Sequence, residues 1–292
     1  MKSKLSYLFR KMTWSRIQNS LHIKLLLLTL LLLFLFLLLL RPNPSSSQSP
    51  TLTAASTASC STKIPETLAE TIIHYATSNT TPQQTRAEIS VAAGVLQHRS
   101  PCRFLVFGLG LDSPMWAGLN HGGRTIFLEE DESWIAKVRA RFPSLEAYHV
   151  RYDTRVRDAD DLMEIGRRPE CSSSAAEKKG LRDSACRLAL KGLPDVFYEG
   201  DWDLIMVDAP TGWIPEAPGR MGAIYTAGMA ARGRNGDGET DIFVHDVDRK
   251  VEDEFSKQFL CEGYLVEQVG RLRHFRLPSY RKKEMPFCPS VM

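Results

Sequence analysis

From Phe104 onward the chain alternates short, largely apolar runs with longer stretches in which apolar residues recur every three or four positions. The runs are Phe104 to Phe107, Thr125 to Leu128, Ala147 to Val150, Asp203 to Val207, Asp241 to His245, Tyr264 to Val269 and Leu272 to Leu277. Runs this short and this apolar read as strands buried on both faces, as the strands of parallel sheets are. Trp134 to Phe142, Met221 to Arg232 and Val251 to Leu260 carry helical spacing between them, so the rhythm predicts a Rossmann-like α/β fold. In that fold a mostly parallel sheet has helices on both faces, and the two final runs predict the antiparallel hairpin that closes it. Ahead of the sheet, Leu68, Ile72 and Ile73, then Ile89, Ala92, Ala93 and Leu96, predict two helices, with Thr80 to Gln83 as a polar break and Pro82 starting the second. Asp158 to Leu193 has no clear period and is read as an inserted loop near the active-site edge.

A different pattern occupies the start of the chain. Leu25 to Leu40 is uncharged Leu and Phe broken only by Thr29, and spans roughly 24 Å as a helix. Taking in Leu21 to Lys24, whose His22 and Lys24 can snorkel, extends it to about 30 Å, enough for a thin bilayer. Six basic residues precede the run, only Arg41 follows closely, and no acid lies near either end. The positive-inside rule then leaves 1–20 as a cytosolic tail, 21–40 as a transmembrane signal anchor and everything beyond in a lumen, a single-pass type II arrangement. The long tail, the extended apolar run and the lack of an A-x-A-like site directly after Leu40 argue against a cleaved signal peptide. Residues 41–63, mostly Ser, Thr, Pro and Ala, read as a flexible stem, and 64–292 as one lumenal domain.

Charge narrows the partners. The chain holds 37 basic and 34 acidic residues; without the seven basic residues up to Arg41, 30 face 34, which leaves no basic excess for nucleic acid. All six cysteines lie beyond the anchor and none forms a C-x-x-C pair, so zinc is poorly supported. In an oxidising lumen disulfides are expected, Cys171 with Cys186 first and Cys261 with Cys288 next. The sequon Asn79-Thr80-Thr81 is compatible with a lumenal domain.

Candidate chemistry gathers at strand ends. Phe104 to Phe107 runs directly into Gly108-Leu109-Gly110-Leu111-Asp112-Ser113, where glycines let backbone N–H groups approach a ligand. The next strand ends in Glu129-Glu130-Asp131, about 20 residues on, the spacing at which a carboxylate grips ribose hydroxyls. Glu129 and Glu130 are both candidates for that role. Pro114 and Met115 stand where a dinucleotide fingerprint would carry its third glycine, which disfavours a pyrophosphate and favours an adenosine ligand without one. Asp208 ends a further buried strand, and His245 and Asp246 end the one after, so all three should converge on a cleft outside the strand ends. Any of the three could remove a proton from a hydroxyl, or Asp208 and Asp246 could hold a divalent cation that lowers its pKa. In the loop between them, Trp213 could stack on a sugar face and Arg220 could pair with a carboxylate. Arg249, Lys250, Arg271, Arg273 and His274 add positive charge nearby.

From about Cys102 to the C-terminus the chain resembles the plant glucuronoxylan 4-O-methyltransferase family. The motifs that carry the resemblance are F-L-V-F-G-L-G-L-D-S, N-H-G-G-R-T-I-F-L-E-E-D, W-D-L-I-M-V-D-A-P, P-E-A-P-G-R-M and H-D-V-D-R-K-V-E. The resemblance implies a class I S-adenosylmethionine-dependent methyltransferase that acts on O-4 of glucuronic acid side chains of xylan in the Golgi. Two related branches supply alternatives, methyl transfer to glucuronic acid of arabinogalactan and a non-catalytic scaffold role in xylan synthesis. Gly108, Gly110 and Asp112 are all present, which favours catalysis over a scaffold, and the absent third glycine disfavours a nucleotide-dependent oxidoreductase.

Overall fold

The structure is a computed structural model that describes residues 24, 26–33, 66–171, 178–280 and 286–289. Residues 26–33 form helix α1, whose leucines are exposed. Among the described residues no helix is long and apolar enough to cross a membrane. The rest of the span expected at 21–40, the tail and the stem lie outside the described residues.

All seven strands among the described residues belong to the unit that spans Cys60–Met292. Two helices come first, α2 (Glu66–Thr77) and α3 (Arg86–Arg99). The second starts later than Pro82 because Thr85 and Glu88 form a capping box, a T-x-x-E signature visible in the sequence. Then follow β1 (Arg103–Phe107), α4 (Ser113–Leu119), β2 (Arg124–Glu129), α5 (Glu132–Arg141) and β3 (Glu146–His149). After the insert, α6 (Ala159–Gly166) and α7 (Lys178–Arg182), the chain resumes with β4 (Leu204–Val207), α8 (Met221–Arg232), β5 (Glu239–Val244) and α9 (Lys250–Ser256), and ends in β6 (Leu265–Val269) and β7 (Leu272–Pro278).

The sheet order is β3-β2-β1-β4-β5-β7-β6. The first five strands are parallel, and β7 runs antiparallel to both β5 and β6. This is the Rossmann-like order of a class I methyltransferase, with its chain reversal between β1 and β4. Alternate residues of each strand feed two cores. Leu105, Phe107, Ile205, Val207, Ile242 and Val244 pack under α8 and the insert, while Phe104, Val106, Phe127, Met206 and Phe243 pack under α3, α4 and α5. Burial on both faces is why these strands read as unbroken apolar runs.

The insert departs from the loop expected near the active-site edge. Leu162, Leu181, Leu188, Leu190 and Leu193 are buried in the α8-side core, and the Tyr225 hydroxyl of α8 donates to the Cys171 carbonyl at 2.9 Å. Just ahead of it the Val156 and Arg157 amides each donate at 3.0 Å to the Ala217 and Pro215 carbonyls of the loop after β4, and Asp160 within it pairs with Lys250 at the start of α9. Both expected disulfides are formed, Cys171–Cys186 and Cys261–Cys288; Cys102 is a buried free thiol.

Candidate active site

A cleft of about 960 Å³ opens outside the carboxyl ends of β1, β2 and β4. It lies at the topological switch point, where open α/β sheets bind their ligands. One wall is the glycine turn after β1. Gly108 has φ 123°, and a Cβ there would come within 3.2 Å of the Ala209 Cβ, so the turn requires glycine on both conformational and steric grounds. The turn is fixed from three sides. Glu129 Oε2 accepts from the Leu109 amide at 3.1 Å, the Ser113 hydroxyl accepts from the Gly110 amide at 2.9 Å, and the Trp134 indole donates to the Leu109 carbonyl at 2.6 Å.

Each residue predicted for the cofactor, namely Gly108, Gly110, Asp112, Ser113, Glu129 and Glu130, lines this cleft. Their environments differ. Glu129 is buried, and its Oε1 also accepts the Glu130 and Asp131 amides at 2.8 and 3.1 Å. Burial nonetheless outweighs these bonds and pushes its carboxyl above the usual range. Glu130 instead reaches across the cleft, accepting the Thr211 hydroxyl at 2.8 Å, and so ties the β2 end to the loop after β4. Asp112 precedes α4 without capping it, and burial together with the Asp208 charge raises its carboxyl.

The structure brings Asp208, His245 and Asp246 together, with one ligand atom from each lying within 4.8 Å of the others. Asp208 lines the cleft with its side chain 21% exposed, whereas His245 and Asp246 lie behind it. His245 Nδ1 is 2.9 Å from Asp208 Oδ1. Burial alone would raise the Asp208 carboxyl, but the His245 hydrogen bond and the Arg220 charge outweigh it and hold the group below the ordinary range. Asp246 sits in the left-handed region at φ 61°, a conformation that costs a non-glycine residue roughly 1–2 kcal/mol and that the surrounding contacts must maintain. Three guanidiniums do so: Arg220 and Arg249 at 2.9 and 2.8 Å from Oδ2, and Arg271 at 2.6 Å from Oδ1.

Arg220, predicted as a clamp for a substrate carboxylate, lines the cleft but engages the chain's own carboxylates. It is 3% exposed, pairs with Asp208 at 3.4 Å and Asp246, faces Glu252 at 3.7 Å, and donates to the Pro210 and His245 carbonyls, each at 3.0 Å. It is an internal strut beneath the loop. Trp213 is 67% exposed at the cleft, and Arg249 lines the cleft half-exposed while donating to the Thr211 carbonyl at 3.2 Å. Among the other predicted cations, Arg273 and His274 are buried on Asp253 and Asp241, and Lys250 pairs with Asp160. Gln84, Glu88, Trp134 and Glu252 escaped the sequence reading. Of these only Glu88 carried a local signal, its place in the capping box.

Residues 87–275 match the family model described as IRX15/IRX15L/GXM. The chain belongs to that family. Other members in Arabidopsis thaliana include glucuronoxylan 4-O-methyltransferase 3, 62% identical over 80% of this chain and 77% of the relative, and glucuronoxylan 4-O-methyltransferase 1, 61% identical over 78% and 81%. Arabinogalactan O-methyltransferase 2 of the same plant is 52% identical over 78% and 79%. A solved O-methyltransferase from Bacillus cereus in complex with SAH aligns over 72% of this chain and 90% of that one, at 14% identity and a TM-score of 0.40.

Proposed function

We propose that this IRX15/IRX15L/GXM member transfers a methyl group from S-adenosylmethionine to O-4 of glucuronic acid side chains of glucuronoxylan. The observation that carries this reading is Asp208, a carboxylate held ionised at the mouth of a cleft whose far wall is a glycine turn and a ribose-type carboxylate. The identity to glucuronoxylan 4-O-methyltransferases supports the acceptor.

In this reading Glu129, the last residue of β2, meets the ribose, while Gly108 and Gly110 let the turn approach the cofactor's amino acid end. Methyl transfer is an in-line displacement at a sulfonium carbon, so alignment contributes most to the rate. Asp208 accepts a hydrogen bond from the acceptor hydroxyl and aims its lone pair at the methyl carbon. A carboxylate held below its usual pKa is a weak proton sink. His245 Nδ1, 2.9 Å behind it, donates to Oδ1 and orients the carboxylate, and the hydroxyl proton leaves by way of Asp208 to solvent as the O–CH3 bond forms and the sulfonium C–S bond breaks. Trp213 offers a face for a sugar ring, and Arg249, partly exposed at the cleft while paired with Asp246, is the candidate partner for the acceptor's own carboxylate.

Asp208, His245 and Asp246 bring one ligand atom each within 4.8 Å of the others. They do not fit the divalent ion considered for Asp208 and Asp246, because Arg220, Arg249 and Arg271 already engage both Asp246 oxygens, Arg220 also pairs with Asp208, and His245 is turned to Asp208 Oδ1. Turnover should therefore survive chelation, and a reversible loss of turnover would restore the metal reading.

Labelled-methyl transfer onto xylan and onto arabinogalactan, side by side, tests the acceptor. Preference for arabinogalactan would move the chain to the second reading, which rests on its 52% identity to an arabinogalactan O-methyltransferase, below the 61% and 62% to glucuronoxylan 4-O-methyltransferases. The leucine run at 25–40 and the basic residues before it support a Golgi type II membrane protein with a lumenal catalytic domain.

A further inference from the structure

One side of Asp208 is held by a group that comes from neither the glycine turn nor the strand ends. Gln84, the residue before the Thr85 cap of α3, is 3% exposed. Its Nε2 stands 3.1 Å from Asp208 Oδ2 and 3.6 Å from Met206 Sδ. A carboxylate and a thioether are both acceptors, so the amide nitrogen must face them. The amide oxygen is then buried without a hydrogen-bond partner. A leftover buried carbonyl is unfavourable, and an apolar side chain of equal length would fill the same space without it. The amide is thus poorly explained by packing alone.

Gln84 is itself held firmly. The capping box fixes the first turn of α3, and Glu88 accepts the Arg271 amide at 2.7 Å while Arg271 bonds Asp246 at 2.6 Å. The start of α3 therefore touches Asp208 directly and Asp246 through one arginine. On Asp208, His245 and Arg220 engage Oδ1, and Gln84 engages Oδ2. Contacts at both oxygens remove rotation of the carboxylate plane.

We propose that Gln84 is a positioning residue for methyl transfer: it sets the rotation of the Asp208 carboxylate, and through it the line from acceptor oxygen to methyl carbon. This rests on Asp208 orienting the acceptor hydroxyl. The test uses the full chain with Gln84→Met, which keeps length and removes the donor, and Gln84→Glu, which sets a carboxylate against a carboxylate. Turnover in a labelled-methyl assay should fall by about 10–100-fold in Gln84→Met, as for a sub-ångström misalignment, and at least as far in Gln84→Glu. In Gln84→Met, affinity for S-adenosylhomocysteine by calorimetry and the thermal midpoint should stay near wild type. Added to Asp208→Asn, Gln84→Met should cost less than a further two-fold, because its effect runs through Asp208.

Turnover of Gln84→Met within two-fold of wild type overturns the proposal. So does a parallel loss of turnover and cofactor affinity, or full additivity with Asp208→Asn; either would make Gln84 a structural tie. If Asp208→Asn itself turns over normally, the reading of Asp208 fails and takes this one with it. If Asp208→Asn is impaired and Gln84→Met is not, only the Gln84 role fails.

Discussion

Asp208 and Asp112 lie in one cleft and are pushed in opposite directions. For Asp208 the hydrogen bond from His245 and the charge of Arg220 overcome burial, so its folded pKa lies below the unfolded value. Its pairing stabilises the fold above the ordinary carboxylate range and is lost only as pH falls through the lower, folded value. Asp208→Asn should leave affinity for S-adenosylhomocysteine close to wild type in calorimetry and cut turnover by about 10²–10⁴-fold, the range for a group that handles the acceptor proton. For Asp112, burial and the Asp208 charge win, so the folded protein takes up its proton more readily than the unfolded chain. Ionised Asp112 therefore costs stability above its folded pKa, and a bound cation relieves that cost. S-adenosylmethionine carries such charge on its sulfonium and amino groups. Its affinity should fall as pH drops through the raised Asp112 pKa, at a higher pH than an ordinary carboxylate would give. Asp112→Asn should flatten the profile; a wild-type affinity that stays level throughout that range would remove Asp112 from the cofactor site.

At the level of elements, legibility followed burial. Strands such as Leu204–Val207 were visible because both faces are covered, which leaves no polar residue to interrupt the run. Met221–Arg232 was visible as a helix because its twelve residues, rich in Ala and Met, are all buried and too many for a strand. The insert was obscured because its helical period is confined to Ala159–Gly166, while its later buried leucines are fixed by a disulfide and by α8. That dependence is measurable. Cys171 and Cys186 lie 15 residues apart, and replacing both by Ser should lower unfolding free energy by about 3 kcal/mol, read from urea melts at constant pH. The glycine turn makes an independent case. Gly108→Ala forces a Cβ against Ala209 at φ 123°, and should cost about 1–3 kcal/mol while weakening cofactor binding. Side-chain roles were less legible than elements. Arg220 has the composition of a substrate clamp, yet three of the chain's own carboxylates, from three different segments, surround it. No local pattern encodes such a meeting, and the same holds for Gln84 on Asp208.

Across the whole molecule, the proposed acceptor and the start of the sequence constrain one another. An acceptor polysaccharide assembled in the secretory pathway would require the methylating domain to face the lumen and draw on cofactor delivered there. The two disulfides between Cys171 and Cys186 and between Cys261 and Cys288 fit an oxidising compartment, since such bonds are rare in the cytosol. Orientation should come from Lys2, Lys4, Arg10, Lys11, Arg16 and Lys24, which precede the leucine run, against Arg41 alone just after it. In sealed Golgi vesicles the domain from residue 64 onward should resist added protease until detergent is present, while an epitope at the N-terminus should be digested without it. Exchanging the five basic residues up to Arg16 for Gln, and adding lysines after Arg41, should invert part of the population, because the bias that retains the tail in the cytosol would be reversed. Inverted molecules would place the catalytic domain with its cofactor but away from the polymer, so methylation of xylan in the cell should fall while the solubilised enzyme keeps its turnover. Digestion of the wild-type domain in sealed vesicles would reject the lumenal assignment directly, and with it the topological support for a wall polysaccharide as acceptor.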